Sequence, residues 1–371
     1  MLKIGITGQS GFIGTHLSYL LKTKPDVEQI PFEDSFFQQD DKLTHFVSQC
    51  DVIVHLAAVN RHENLDELYS INIQLTKQLI SALEKANVSP HVLFSSSIQE
   101  ESDNLYGKSK REGRELLSQW AQQHNAKFTG LVIPNVYGPL GKPYYNSVVA
   151  TFCHQLTHNE QPQIAVDNTL KLIYVGELAE YIYQTAIKGL SQKELYIPPT
   201  AEKKVSELLQ LLSGFKQQYF DQGIIPEIAT IFERNLFNTF RGYIDYSVHF
   251  PVKLKPNIDE RGMFVETVKL CTGGLVSFST TKPGVTRGNH FHTRKIERFV
   301  VLKGSATIQL REVGSGKVHE YTLSGGNPSY VDMPVWYTHN ITNVGNDELL
   351  TLFWINEPFD PNDSDTYFEV V

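Results

Sequence analysis

Short apolar runs rich in valine and isoleucine alternate with longer stretches of helical period from residue 1 to about residue 240. Such runs predict buried strands, and apolar residues spaced three and four apart predict amphipathic helices. The predicted strands cover residues 2–6, 51–56, 91–96 and 129–133. The predicted helices cover residues 12–21, 68–85, 106–123, 175–187, 205–218 and 230–240. This alternation is typical of a parallel sheet covered by helices on both faces.

The pattern changes after about residue 255, where Gly, Pro, Asn and Asp separate short alternating segments such as RFVVLKG and ATIQLRE. Period-two alternation between turn residues predicts an antiparallel barrel or sandwich. A chain of 371 residues is also long for a single core. We therefore predict a first domain at residues 1–243, a linker at 244–256 and an all-β domain at 257–371.

Charge and composition exclude several classes of function. The net charge of -8 disfavours nucleic-acid binding, which needs a basic surface. No stretch approaches the roughly 18 apolar residues of a membrane span, and the first residues lack a signal-peptide pattern. We therefore expect a cytoplasmic protein without membrane insertion. The three cysteines show no spacing pattern and predict no disulfide framework.

Three glycines follow the first predicted strand and precede an apolar helix, in the segment ITGQSGFIGTHL. Gly8, Gly11 and Gly14 would let the backbone turn tightly and approach a pyrophosphate, while the helix N-terminus supplies free N–H groups. Glycines alone are a weak signal, but a strand before them and a helix after them favour a dinucleotide site.

Tyr106 and Lys110 open a predicted helix, where residues four apart share a face. An ammonium beside a phenol favours the phenolate, so we expect Lys110 to lower the pKa of Tyr106. Such a tyrosine can donate its proton to a carbonyl oxygen that receives a hydride. Ser97, in the preceding LFSSS segment, could hold the same oxygen.

A second constellation lies in GNHFHTRKIERFVVLKG. His290 and His292 are two residues apart on a predicted strand, so their rings share one face. Glu297 sits at an odd offset, so the intervening TRKI must form a turn that brings it back. With His339, these side chains suit zinc, iron, manganese or nickel.

The segments TGQSGFIG, DVIVHLAA, LFSSS, YGKSK and PNVYGP together resemble the extended short-chain dehydrogenase/reductases. The resemblance implies an α/β Rossmann-type doubly wound sheet in which Tyr106, Lys110 and Ser97 are catalytic. Only eight residues separate Ser97 from Tyr106, fewer than is usual in the family, so Ser96 stays an alternative donor. Contacts with NAD(P) are implied for Gly8, Gly11, Phe12, Ile13, Gly14, Ala57, Ala58, Tyr106 and Lys110.

The spacing of His290, His292, Glu297 and His339 within their glycine and proline framework is similar to the two-part cupin motif, which implies an all-β cupin barrel. Trp336 stands where cupins usually carry Gly, and its ring would narrow the pocket.

DERGMFVE, residues 259–266, resembles the opening motif of nucleotide deoxysugar epimerases. Its Arg261 would pair with a sugar-nucleotide diphosphate.

The order of the two domains, with segments such as VHLAAVNR, KPGVTRGNH and WINEPFDPNDSDTYFEV, resembles the CapF-type bifunctional enzymes of capsular polysaccharide synthesis. The resemblance implies C3 epimerisation of a UDP-2-acetamido-2,6-dideoxy-4-ketohexose in a zinc cupin domain. NADPH-dependent reduction at C4 would then give UDP-2-acetamido-2,6-dideoxy-L-talose, the precursor of N-acetyl-L-fucosamine. It also implies a homodimer. The substrate class is a UDP-linked 4-keto-6-deoxy-N-acetylhexosamine.

Several alternatives stay open at this stage. Glu33 or Asp34 could hold an adenosine ribose and favour NADH over NADPH. Lys142 and Asn146 are candidate substrate contacts in KPYYNSVVATF. The epimerase base could be Tyr337, a residue of the 259–266 segment or a metal-bound water. A single-activity reductase with a β-rich binding or dimerisation module is the main alternative, and a nucleotide sensor without turnover is another.

Overall fold

The computed structural model describes residues 1–357 and 360–371 and divides the chain into two units. The first unit comprises Met1–Ser213 and Ala229–Ile244, and the second comprises Gly214–Ile228 and Asp245–Val371. Pro358 and Phe359, which belong to the C-terminal segment quoted above, lie outside the described residues. In the described part of the chain, no helix combines the length and the apolar composition that crossing a membrane requires.

The first unit contains nine strands and eight helices among its described residues, and the last helical turn of α7 extends past Ser213. The strands are β1 (Leu2–Thr7), β2 (Val27–Ile30), β3 (Val52–His55), β4 (His91–Ser97), β5 (Phe128–Ile133), β6 (Asn135–Tyr137), β7 (Thr169–Tyr174), β8 (Gln192–Tyr196) and β9 (Ala201–Lys204). The helices are α1 (Phe12–Leu21), α2 (Asp40–Ser48), α3 (Leu65–Ala86), α4 (Leu105–Gln123), α5 (Val148–Thr157), α6 (Val175–Lys188), α7 (Val205–Phe215) and α8 (Ile231–Arg241).

Six strands form a parallel sheet in the order β2-β1-β3-β4-β5-β8. Strands β3 and β4 are almost continuously buried, as expected when helices cover both faces of a sheet. The strand order reverses between β1 and β3, which makes the carboxyl edge there the expected ligand site. A separate three-stranded sheet has the order β6-β7-β9.

Within its described residues the second unit is all-β apart from the end of α7, one π-helical turn (Lys216–Asp221) and α9 (Tyr246–His249). Its strands are β10 (Ile224–Ile225), β11 (Pro256–Asp259), β12 (Gly262–Leu270), β13 (Leu275–Thr281), β14 (Thr286–Phe291), β15 (Glu297–Lys303), β16 (Ser305–Glu312), β17 (Val318–Ser324), β18 (Tyr330–Met333), β19 (Tyr337–Asn343), β20 (Leu349–Ile355) and β21 (Tyr367–Phe368).

Two sheets make up this β-rich unit. One follows the order β10-β12-β13-β20-β15-β18, with β11 beside β12, and the other follows β17-β16-β19-β14-β21. A shared apolar core joins them, contributed by Phe299 and Val301 of the first sheet and by Ile308 and Ile341 of the second. The metal-candidate strands β14, β15 and β19 therefore come from both sheets.

The predicted fold class is confirmed, and each predicted strand and helix of the first half is found with its ends shifted by at most three residues. Five strands and two helices of the first unit were not predicted, because their apolar runs are short or interrupted by polar residues: β2, β6, β7, β8, β9, α2 and α5. The TRKI segment does lie outside the strands, between β14 and β15, as the offset of Glu297 required.

Candidate functional site

The turn between β1 and α1 brings its backbone close to the end of β3. Gly8 has a positive φ of 73°, and a Cβ there would lie 2.8 Å from the backbone nitrogen of Ala57. A Cβ on Gly14 would lie 2.2 Å from the carbonyl oxygen of Gly8. Glycine is therefore required at both positions. The amino end of α1 follows directly, which fits a pyrophosphate held by backbone N–H groups.

A cleft of about 1180 Å³ lies at this edge of the sheet. Pockets for a single drug-sized ligand measure about 300–1000 Å³, so the cleft has room for more than one ligand. Most residues that the sequence singled out in the first unit line this cleft: Gly8, Gly11, Phe12, Ile13, Gly14, Ala57, Ala58, Ser97, Tyr106, Lys110, Lys142 and Asn146.

Tyr106 and Lys110 stand at the amino end of α4, whose first turn is capped by Asn104. The ammonium nitrogen of Lys110 lies 5.8 Å from the ring centre of Tyr106 and 5.3 Å from that of Phe94. Lys110 is almost fully buried, with 4% of its surface exposed. Helical spacing therefore does bring the pair together.

The expected lowering of the phenol pKa is wrong for this structure. Burial, followed by the neighbouring Tyr145, raises the pKa of Tyr106 to about 12. Burial also lowers the pKa of Lys110 to about 8, although Glu100 opposes that shift. The lysine thus loses its charge before the tyrosine titrates. At neutral pH the pair is a neutral phenol beside an ammonium, which is the form a proton donor requires.

The two candidate serines have different partners. Ser96 donates its hydroxyl to the carboxylate of Glu100, which is buried and ion-paired with Arg114 at 2.7 Å. Ser97 accepts the backbone N–H of Gln99 at 3.2 Å, and this bond leaves its own hydroxyl hydrogen unused. The geometry favours Ser97 over Ser96 as the donor to a substrate oxygen.

The loop that carries Lys142 and Asn146 is fixed by a residue that sequence reasoning missed. One guanidinium nitrogen of Arg61 donates to the carbonyl oxygens of Tyr144 and Tyr145, at 2.9 and 2.8 Å. The ammonium of Lys142 lies 5.4 Å from the ring centre of Tyr145. The hydrogen bonds of Arg61 join segments more than 80 residues apart in sequence, so spacing gives no signal for them.

Of the two acidic residues considered for the adenosine ribose, Asp34 lines the cleft and Glu33 does not. The carboxylate of Asp34 accepts the hydroxyl of Ser10 at 2.8 Å, which places it beside the glycine-rich turn. A carboxylate in this place binds ribose hydroxyls and repels a 2′-phosphate.

Four side chains converge in the β-rich unit. One ligand atom from each of His290, His292, Glu297 and His339 lies within 4.8 Å of the other three. The Nε2 atom of His339 is 3.0 Å from Oε2 of Glu297, and Nε2 of His292 is 3.6 Å from the same oxygen. All three atoms are buried, and none forms a hydrogen bond among the described residues. The structure thus brings together the four side chains that the sequence named as candidate metal ligands.

The rings are oriented by their other nitrogens. Nδ1 of His292 lies 2.5 Å from the carbonyl oxygen of Asp365, and Nδ1 of His339 lies 3.2 Å from that of Tyr337. Carbonyls accept only, so both Nδ1 atoms donate and both Nε2 atoms face the cluster. Burial and then the neighbouring His339 lower the pKa of His290 to about 4, so this ring is neutral at pH 7.

The fourth candidate ligand, Glu297, is ionised in this environment. Burial alone would raise its pKa, but the facing imidazoles of His292 and His339 hold it well below the usual range. Two imidazole nitrogens and one carboxylate oxygen that are buried and without hydrogen-bond partners, together with the adjacent ring of His290, match the ligands of a divalent cation such as zinc. The residues present therefore fit a metal ion.

Three further residues named from the sequence lie in this unit. Trp336 is half exposed at a positive φ of 62°, a conformation that favours glycine, and its ring stacks on Phe291 at 5.8 Å. Tyr337 lies two residues before His339 on β19, so both side chains point to the same face. Arg261 is ion-paired with Asp259 at 2.5 Å, which occupies part of its fork.

Two family models match the chain. One, described as the NAD dependent epimerase/dehydratase family, covers residues 4–195, and the other, described as the polysaccharide biosynthesis C-terminal domain, covers residues 257–367. Over 368 residues the chain is 33% identical to the UDP-2-acetamido-2,6-beta-L-arabino-hexul-4-ose reductase of Pseudomonas aeruginosa, spanning 99% of this chain and 98% of that protein.

Two solved structures are similar to this chain over nearly its whole length. The crystal structure of the capsular polysaccharide assembling protein CapF from Staphylococcus aureus matches with a TM-score of 0.86 at 36% identity, covering 99% of this chain and 100% of that one. A crystal structure of CapF with the inhibitor 3-isopropenyl-tropolone matches with a TM-score of 0.81 at 33% identity, covering 100% of both chains.

Proposed function

The chain belongs to the NAD dependent epimerase/dehydratase family, and from this premise we propose that it is a bifunctional CapF-type enzyme of sugar-nucleotide metabolism. Its substrate is a UDP-2-acetamido-2,6-dideoxy-4-ketohexose. The β-rich unit inverts C3, and the first unit then reduces C4 to give UDP-2-acetamido-2,6-dideoxy-L-talose. NADPH is the hydride donor implied by the resemblance, whereas the carboxylate of Asp34 beside the glycine-rich turn favours NADH as the alternative. The working form is a homodimer. The full-length match to a reductase of a related 4-keto sugar nucleotide supports this assignment.

Reduction takes place in the cleft of the first unit. The nicotinamide cofactor supplies the hydride when bound. Tyr106 donates its phenolic proton to the C4 oxygen, and Ser97 donates a hydrogen bond to the same oxygen. The Lys110 ammonium, whose pKa is about 8, stabilises the phenolate left on Tyr106. Lys142 and Asn146, which line the same cleft, bind the sugar nucleotide.

Epimerisation uses the His/Glu cluster. His290, His292, Glu297 and His339 would hold a zinc ion, and a bound cation supplies Lewis acidity at the ketone oxygen. Acidifying the proton at C3 lets a modest base remove it from one face, and a proton from solvent then returns to the opposite face of C3. Tyr337 points to the same face of β19 as His339 and is our choice for that base. Arg261 contacts the diphosphate with the N–H groups that Asp259 leaves free.

The observation that carries the second activity is the convergence of four ligand atoms within 4.8 Å of one another, three of them buried and without a hydrogen-bond partner. A β-rich module that served only for binding or dimerisation would gain nothing from burying unbonded imidazole and carboxylate atoms, which costs free energy. A module that holds a cation recovers this cost on binding.

The test is proton exchange in the intact protein. We expect incubation with the UDP-4-keto substrate in heavy water, without nicotinamide cofactor, to place deuterium at C3. Prior treatment with a chelator should stop the exchange, and added zinc should restore it. If the metal-loaded protein leaves C3 unlabelled, the epimerase half of the assignment is wrong.

One observation favours a single-activity reductase as the second candidate. The curated relative that matches the whole chain is named a reductase only. In that case chelation would leave both the rate and the product of ketone reduction unchanged. Comparing the C3 configuration of the product before and after metal removal separates the two functions.

A further inference from the structure

Asp365 connects the C-terminal residues to the turn between two candidate metal ligands. Its carboxylate accepts the backbone N–H groups of Thr293, Arg294 and Lys295, each at 3.0 Å. It also accepts the hydroxyl of Thr293 at 2.6 Å. These three residues lie between His292 and Glu297 in sequence. One carboxylate therefore satisfies three consecutive N–H groups and fixes the path of the chain from one ligand to the next.

The backbone of the same residue orients a ligand directly. The carbonyl oxygen of Asp365 accepts Nδ1–H of His292 at 2.5 Å, which leaves Nε2 of that ring facing the cluster. Asp365 is 4% exposed and has a positive φ of 43°. A buried residue in a left-handed conformation is held there by its surroundings, because the conformation is unfavourable for a residue with a side chain.

The residues after Asp365 contact the neighbours of the other two histidines. Strand β21 pairs with β14, in register between Phe368 and His290. The hydroxyl of Thr338, which precedes His339, donates to the carbonyl oxygen of Glu369. The carboxylate of Glu369 is also ion-paired with Arg311 at 2.7 Å.

We propose that residues 364–371 position the ligands of the metal centre, with Asp365 as the principal positioning residue. The segment holds His292 and the 293–295 turn in ligating geometry before the cation binds, so that binding requires little rearrangement. This inference rests on the proposed metal site and goes beyond it by assigning a role to a segment that supplies no ligand. Hydrogen-bond partners of ligating histidines typically contribute 10–100-fold in metal affinity.

The decisive variant is Asp365→Asn in the full chain. Asparagine keeps the size and the tolerance of positive φ, but its amide nitrogen cannot accept the N–H groups of Arg294 and Lys295. The matched control is Asp363→Asn, which removes the charge of a largely exposed carboxylate that pairs with Arg294. Affinities for Co²⁺ and Zn²⁺ would be measured by calorimetry and by competition with a chromophoric chelator.

We expect Asp365→Asn to weaken metal affinity by about 10–100-fold and Asp363→Asn to leave it unchanged. Equal affinities for Asp365→Asn and the wild type would overturn the positioning role while leaving the metal site intact. A wild-type protein that binds neither ion would overturn the proposed epimerase function and this inference with it.

A second variant covers the case in which Asp365→Asn does not fold. Thr293→Val keeps a β-branched side chain and removes only the hydroxyl that donates to Asp365. We expect a severalfold loss of metal affinity in a protein whose circular dichroism matches the wild type. If that folded variant binds the ions as tightly as the wild type, the proposal is wrong.

Discussion

The ammonium nitrogen of Lys110 lies 5.8 Å from the ring centre of Tyr106, and burial shifts the pKa values of the two groups in opposite directions, to about 8 and about 12. Because the lysine titrates first, its charge sets the upper pH limit of the proposed reduction. Below about pH 8 the ammonium is present and the phenol keeps its proton.

We therefore expect kcat/KM for ketone reduction to be level near neutral pH and to fall about tenfold per unit well above pH 8. The fall follows the loss of the Lys110 ammonium and not the titration of Tyr106, whose pKa is about four units higher. Absorbance of the reduced cofactor over a pH series measures it. A level profile through pH 10 would contradict this prediction.

Replacing Tyr106 with Phe should separate the two activities. The variant lacks the proton donor, so oxidation of the cofactor by the 4-keto substrate should drop by about 100-fold or more. Deuterium exchange at C3 should continue at the wild-type rate, because the His/Glu cluster is untouched. Loss of exchange together with reduction would argue against two separate sites.

The serines offer a matched pair of variants. Ser97→Ala removes the hydroxyl that we place on the C4 oxygen and should lower kcat for reduction by about 100-fold. Ser96→Ala removes a hydroxyl already donated to Glu100, so it should change kcat little and cost about 1 kcal/mol in the free energy of unfolding. Steady-state kinetics and chemical denaturation measure the two effects. The reverse ranking would move the catalytic role to Ser96.

Asp34→Ser tests the cofactor preference. Removing the carboxylate beside the glycine-rich turn should raise the ratio of kcat/KM for NADPH to that for NADH by about tenfold, or about 1.4 kcal/mol. Glu33→Ser is the control, because Glu33 does not line the cleft, and should leave the ratio unchanged. An unchanged ratio in Asp34→Ser would mean that the ribose lies elsewhere.

Glu297→Gln should disable the metal centre alone. The carboxylate faces both His292 and His339, and its neutral amide is a poorer cation ligand. We expect metal affinity to fall by at least about tenfold and C3 exchange to stop, while reduction of substrate already inverted at C3 continues. Calorimetry and product analysis by NMR check this.

Features that depend on residues close together in the sequence could be predicted from the sequence alone. The glycine-rich turn, the Tyr106–Lys110 pair and the side on which His290 and His292 lie all follow from helix or strand periodicity. The offset of Glu297 required a turn before β15, and the structure contains one.

Burial and long-range pairing were the parts that the sequence could not predict. The ammonium of Lys110 was expected to lower the pKa of Tyr106, yet desolvation dominates because both groups are enclosed. Asp365 and His292 are 73 residues apart, and the bond between them depends on how β21 meets β14. No spacing rule connects such residues.

The division of the chain has a consequence for how the protein can be taken apart. The polypeptide leaves the first unit after Ser213, returns at Ala229 and leaves again after Ile244, which makes three crossings. Two domains joined end to end by a simple gene fusion would be connected by a single crossing. A fragment cut within the predicted linker would lack β10, the parallel neighbour of β12, and would expose that edge. Recombination or laboratory shuffling therefore has to transfer residues 214–228 together with the β-rich module.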